Sequence, residues 1–132
     1  MDPCEALIAK LKDHPELAIE AFPGGVRIAP PAPAGFGVEL RETPGGWTVF
    51  LGEAGFHEEF TTPDEVLNFL GWCYSGTARV REVWRGATPQ KSILEAHENG
   101  EWYSVGETGF LLVPWWRRRR EIVLRNPSFL SP

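Results

Sequence analysis

Six consecutive residues, Trp115-Trp116-Arg117-Arg118-Arg119-Arg120, form the densest run of chemistry-bearing side chains in the chain. Indole faces stack on bases or fill apolar pockets, and guanidinium forks make bidentate contacts to phosphate or carboxylate. Because the formal net charge is −5, four adjacent arginines must be solvated, paired with acids or presented to an anionic partner. The structural alternative makes Phe110 to Trp116 a strand, with Trp115 and Trp116 on opposite faces and the arginines carrying the chain through an exposed turn. A pI near 5.2 is unlike the basic footprint of a nucleic-acid module.

The second dense group is His57-Glu58-Glu59. A metal site wants three or more converging ligands, but in a strand His57 and Glu59 share a face while Glu58 points away. His97-Glu98 would have to complete such a site, and nothing in the sequence fixes its proximity. A solvated acidic strand face is therefore expected, with no metal; Glu58 and Glu59 remain candidates for binding a basic partner. Ser75, Ser92 and Ser104 lack a nucleophile elbow, and the glycines at 45, 46, 52 and 55 form neither a Walker loop nor a dinucleotide fingerprint. Glu53 and Glu107, in echoing turn contexts, read as solubilising rather than as an acid/base pair. Cys4 and Cys73 lack CxxC spacing, so two reduced thiols are expected, with Cys73 a small buried hydrophobe. No catalytic residue and no cofactor is expected.

Charge is unevenly distributed. Up to Ala78 there are four basic and twelve acidic residues; from Arg79 onward there are nine basic and six acidic ones. This polarity implies either internal pairing of an acidic first half with Arg-rich strands, or partners of opposite sign at the two ends. For a compact domain the internal pairing is the expectation.

These residues must be positioned by an α+β fold in one domain spanning 1–132. An N-terminal helical segment over 1–23 starts at Asp2-Pro3 and resumes after Asp13, with Leu17, Ile19 and Phe22 apolar in its second part. A Pro/Ala linker over 29–35 follows as an extended surface connector. The core over 36–125 is a mostly antiparallel twisted sheet of about six strands, with a central helix over about 63–75 and the N-terminal helix packed on one face. Thr62-Pro63-Asp64-Glu65 carries the signature of a capping box with proline at the first helical position. Strands are expected at 36–41, 47–52, 56–60, 78–85, 92–98, 102–105, 110–116 and 121–125. A turn contains Thr88-Pro89, Asn99-Gly100 marks a hairpin, and 126–132 is a tail. Gly46-Trp47 with Gly52 to Phe56 echoes Glu101-Trp102 with Gly106 to Phe110, as a duplicated meander or a chance recurrence of turn residues would.

The function expected on these grounds is that of a small non-catalytic cytoplasmic protein acting by protein–protein contact, of inhibitor, immunity or adaptor type. Its partner is unknown, and a basic one suits the acidic first half, including Glu39, Glu42, Glu53, Asp64 and Glu65. The alternative is single-stranded nucleic-acid binding through Trp115 to Arg120; a further one is small-ligand binding or unrecognised catalysis. No apolar run reaches the roughly 20 residues that span a bilayer, so no membrane association is expected. The oligomeric state is left open.

Overall fold

The computed structural model describes residues 2–15, 17–110 and 114–127. In chain order they form α1 (Pro3–Leu11), β1 (Ile19–Phe22), β2 (Gly25–Ile28), β3 (Val38–Thr43), β4 (Gly46–Leu51), β5 (Phe56–Phe60), α2 (Pro63–Cys73), β6 (Ala78–Arg85), β7 (Thr88–Glu98), β8 (Glu101–Gly109) and β9 (Arg119–Arg125). The α+β class with antiparallel pairing holds. The strands divide between two sheets, however, one ordered β1-β2-β3-β4-β5 and the other β8-β7-β6-β9.

The segment expected as further helix after Asp13 is instead a strand. Phe22-Pro23-Gly24-Gly25 is a tight turn with Gly24 at φ +81°, a region that glycine enters without steric cost, and Ile19 lies opposite Ile28 across the hairpin. In four residues the strand and helix periods are indistinguishable, so the turn decides. One cross-strand row, Ile19, Ile28, Val38, Leu51 and Phe56, then runs the width of the five-stranded sheet on its core side. The connector after β2 is not freely extended either. A turn closes from the Gly35 N–H to the Ala32 carbonyl, Arg125 N–H donates to the Ala34 carbonyl at 2.8 Å, and the buried Asn126 Oδ1 accepts the Phe36 N–H at 2.8 Å.

Helix α2 starts where the cap predicts: Thr62 Oγ1 accepts the Glu65 N–H at 3.3 Å. The Glu65 carboxylate accepts the Thr62 hydroxyl at 2.7 Å rather than its backbone N–H. Leu7 and Leu11 of α1 and Val66, Leu70 and Cys73 of α2 join Val26, Leu40 and Val49 of the first sheet and Val80 and Leu94 of the second in one apolar cluster. Asn99 and Gly100, both at positive φ, make the β7–β8 hairpin turn. Strand β7 begins at Thr88, so Thr88-Pro89 is strand rather than turn, and β8 runs on to Gly109. The internal echo is not a structural repeat: Gly52 to Gly55 is a turn, whereas Gly106 to Gly109 is extended strand.

The two sheets are joined by a carboxylate. Glu82, on the core side of β6 in the same alternation as Ala78 and Val80, is 1% exposed. Its Oε2 accepts the N–H groups of Glu53 (2.9 Å) and Ala54 (2.7 Å), and Oε1 takes a long 3.4 Å bond from Trp84 Nε1. Two backbone donors from the β4–β5 turn thus replace the water that a buried carboxylate loses. Gly52 is needed beside it: its φ is +73°, and a Cβ there would lie 2.5 Å from Glu82 Oε2.

Glu82→Ala is therefore expected to lower the unfolding free energy by about 2 kcal/mol, since it orphans one buried and one part-buried donor, and Glu82→Gln by less because an acceptor remains. Denaturant unfolding measures both. A loss under roughly 1 kcal/mol for the alanine variant would remove Glu82 from this role.

Candidate functional site

The Trp-Arg run does not continue a strand. Phe110 lies outside β8, residues 111–113 lie outside the described residues, and 114–118 form a turn closed by the Arg117 N–H on the Pro114 carbonyl at 2.9 Å. Trp115 and Trp116 are consequently not divided between a core face and an outer face. Both stand in solvent, 76% and 68% exposed, with their rings edge to face at 87° and centroids 6.0 Å apart.

The β6–β7 hairpin holds this turn from below. Gly86 N–H donates to the Arg118 carbonyl at 2.9 Å, and the stem of Arg117 lies against Gly86. Arg120 Nε donates to the Gly86 carbonyl at 3.2 Å while its guanidinium sits over Trp84, 5.2 Å from the ring centroid. Arg119 and Arg120 already belong to β9, and Arg119 approaches Glu121 at 3.9 Å. Among the described residues no carboxylate pairs with Arg117, Arg118 or Arg120. A cleft of about 550 Å³ opens between Gly86, Ala87 and the backbone run of Arg118 to Arg120.

The run thus splits into two parts. Arg119 and Arg120 are spent on the strand and its hairpin, while Trp115, Trp116, Arg117 and Arg118 project from a braced turn. Such a turn offers two apolar plates next to two positive charges without reorganising.

Glu58 and Glu59 lie elsewhere, on β5 of the other sheet. Both are exposed, and their side chains point to opposite faces, Glu59 beside Thr48 and Glu58 beside Val49. No contact joins them to the turn among the described residues. Asp64 and Glu65 follow in the first turn of α2, where negative charge complements the helix dipole. His57 shares its face with Phe50 (centroids 5.8 Å apart), and His97 stacks against Trp102 at 4.9 Å. No group of three or more potential metal ligands occurs among the described residues.

Among the described residues the expected pairing of an acidic first half with a basic second half is not found. Arg27 and Arg41 both bind Glu39, which removes that carboxylate from the set free to meet a basic partner. In the second half Arg79 and Arg81 bind Glu95, Arg81 also binds Glu121 at 2.7 Å, and Lys91 approaches Glu107. Every ion pair among the described residues stays within its own half of the chain. The reason is geometric: the pairs join neighbouring strands of one sheet or, for Arg41–Glu39 and Arg119–Glu121, positions along a single strand, whereas the joint between sheets is made by apolar side chains with Glu82 and Asn126.

Burial drives the Glu39 pKa upward, but hydrogen bonds from Arg27 and Arg41 more than offset this and hold it below the ordinary value. Glu121 is also lowered, chiefly by its hydrogen bond from Arg81. Burial, aided by Asp2, Glu42 and Glu5, pushes the Cys4 thiol up to about 11, and burial alone raises Cys73 further. Both thiols are free. Sequence reasoning missed Glu82, although its place in the Ala78, Val80 alternation marked it as inward-facing. No helix among the described residues is long and apolar enough to cross a membrane. Comparison of the chain with family models, with curated proteins and with solved structures yields no match.

Carbon-13 titration should place the midpoints of Glu39 and Glu121 below the ordinary glutamate value of 4.5. Depressed folded values mean that the unfolded chain binds these protons first. Their stabilisation is therefore complete above that ordinary value and is lost as pH falls through the folded midpoints. Midpoints at or above 4.5 would contradict the ion-pair geometry. Alkylation at pH 8 should modify Cys4 roughly two orders of magnitude more slowly than an unfolded-chain thiol, because only the thiolate reacts. Cys73 should react only on unfolding, and rapid labelling of either in the native protein would contradict their burial.

Proposed function

We propose that this protein is a non-catalytic binding domain that acts by protein–protein contact through the Trp115–Arg118 turn. The observation that carries the reading is the exposure of two adjacent indoles on a turn fixed by the β6–β7 hairpin. A Trp side chain buries 150–250 Å² when covered, so a partner that covers both gains several kcal/mol of apolar burial (about 25 cal/mol per Å²). Tryptophan and arginine are also the residue types most enriched among binding hot spots. Arg117 and Arg118 call for carboxylates on the partner around the apolar pocket. An inhibitor, immunity or adaptor role fits a surface of this kind.

Nucleic acid is the competing occupant. Against it stand the overall acidity and the perpendicular setting of the two rings, which offers no parallel platform for successive bases.

The full chain, immobilised in low-salt native lysate, is expected to retain one protein saturably. Trp115→Ala and Trp116→Ala should each weaken that complex by at least about 2 kcal/mol while changing unfolding stability by less than roughly 0.5 kcal/mol. Equal retention by the double variant would refute the reading. So would tryptophan quenching by an oligonucleotide that disappears steeply with added salt.

A further inference from the structure

Strand β9 ends the four-stranded sheet, and hydrogen bonds at its two ends fix which way its backbone groups point. The Arg118 carbonyl accepts the Gly86 N–H, so the even-numbered positions face β6. The Arg125 N–H donates to the Ala34 carbonyl on the opposite side, so the odd-numbered positions face away. Pairing of β6 with β9 runs without a break from Arg79↔Arg125 to Arg85↔Arg119, so this parity is kept along the strand. The N–H and C=O groups of Arg119, Glu121 and Val123 therefore form an open edge. No hydrogen bond occupies it among the described residues, except at its far end, where Ala34 already binds as an incoming strand would.

The surroundings of that edge select what adds to it. On the core side Ile122 and Leu124 are half-buried, and they line a cleft of about 210 Å³ whose far wall is Pro30, Pro33 and Phe36. Glu53 and Glu82 lie at its Gly52 end, and an added strand would drop every second side chain against the Ile122, Leu124 and proline walls. On the outer side Arg119 and Arg125 flank Val123 and Glu121, and Glu121 is neutralised by Arg81. Arg117 and Arg118 add positive charge where β9 begins. A second copy of the same edge fits poorly. Antiparallel self-pairing centred on Ile122 opposes Arg119 to Arg125, and pairing centred on Glu121 opposes that carboxylate to itself.

Resting on the reading of the Trp115–Arg118 turn as a protein contact, we infer that the partner presents an extended acidic segment that adds to β9 as a further antiparallel or parallel strand. Its apolar residues alternate into the cleft, its carboxylates lie beside the arginines, and main-chain hydrogen bonds to Glu121 and Val123 fix its register. The two indoles then cover the end of the added strand.

The probe is a capped peptide of about eight residues alternating glutamate and valine, long enough to span one strand. A lysine–valine counterpart, and the acidic peptide N-methylated at alternate amides, serve as comparisons. In the free full-length protein the Glu121 and Val123 amides should exchange with solvent fast, and the acidic peptide should slow both at least severalfold. Val123→Pro removes one outward donor and leaves the β6–β9 ladder intact, as proline at a strand edge allows. It should weaken binding at least tenfold. N-methylation of the peptide should do the same to the unaltered protein, which keeps the test independent of the variant's folding. Equal binding by Val123→Pro or by the methylated peptide, unchanged exchange, or preference for the lysine peptide would overturn strand addition. Peptide binding that is lost in Trp115→Ala/Trp116→Ala but survives Val123→Pro would overturn it while sparing the turn. Binding lost in Val123→Pro and untouched in the tryptophan variant would uphold it and sink the turn.

Discussion

One carboxylate decides how the two sheets of this protein meet. Glu82 stands where the alternation of β6 calls for an apolar residue, and it is tolerated because the β4–β5 turn aims two N–H groups at a single oxygen. The arrangement constrains both sides. The turn must leave room beside the carboxylate, which Gly52 does, and β5 must leave the turn in a direction that sets Phe56 against Gly106 of β8. Helix α2 follows β5 after two residues, so the same contact aims the helix. At the other end of the joint a second polar side chain, Asn126, performs the matching task by binding Phe36 N–H. Apolar packing between the sheets supplies most of the burial but little register; these two directional contacts supply the register.

Elements governed by local stereochemistry were legible in the sequence. The helix after Thr62, the strand over 56–60, the strand over 78–85 and the Asn99-Gly100 hairpin rest on caps and turns whose causes lie within a few residues. What depends on distant partners was not legible. Leu17 to Phe22 has no period long enough to read, and its strand state comes from pairing with β2. The division into two sheets follows from where α2 and Glu82 hold β5 and β6, which no local pattern encodes. The candidate site was half legible. Residue types singled out Trp115 to Arg120, but the assumption of strand alternation through Trp116 hid the turn that exposes both indoles. The hairpin at Gly86 braces that turn, and Gly86 is distant in sequence.

Charge followed the same logic. A surplus of acid early and of base late suggested attraction between the halves. Yet cross-strand neighbours within a sheet are about 5 Å apart, and the arginines found their carboxylates there. Glu39 between Arg27 and Arg41, and Glu95 with Glu121 around Arg79 and Arg81, are closed groups within their own sheets. The leftover acids of the first half and the leftover cations near β9 therefore both face solvent. What is left of the sequence's polarity after these pairs close becomes polarity of the surface.

The exposed tryptophans are not overflow from a full core. Trp47, Trp72, Trp84 and Trp102 are all partly buried, each fitted beside helix, sheet or arginine, so the fold has places for indoles and uses them. Trp115 and Trp116 are held out of such places by a turn with its own backbone bond and a second to the hairpin below, where the Arg120 side chain also binds the Gly86 carbonyl. Two unsupported indoles on a loose loop would collapse onto the nearest apolar surface, because that burial is favourable and opposed only by loop entropy. Bracing the turn removes this escape. The same hairpin contact also sets the first residues of β9, so the projecting indoles and the open strand edge share one rigid support.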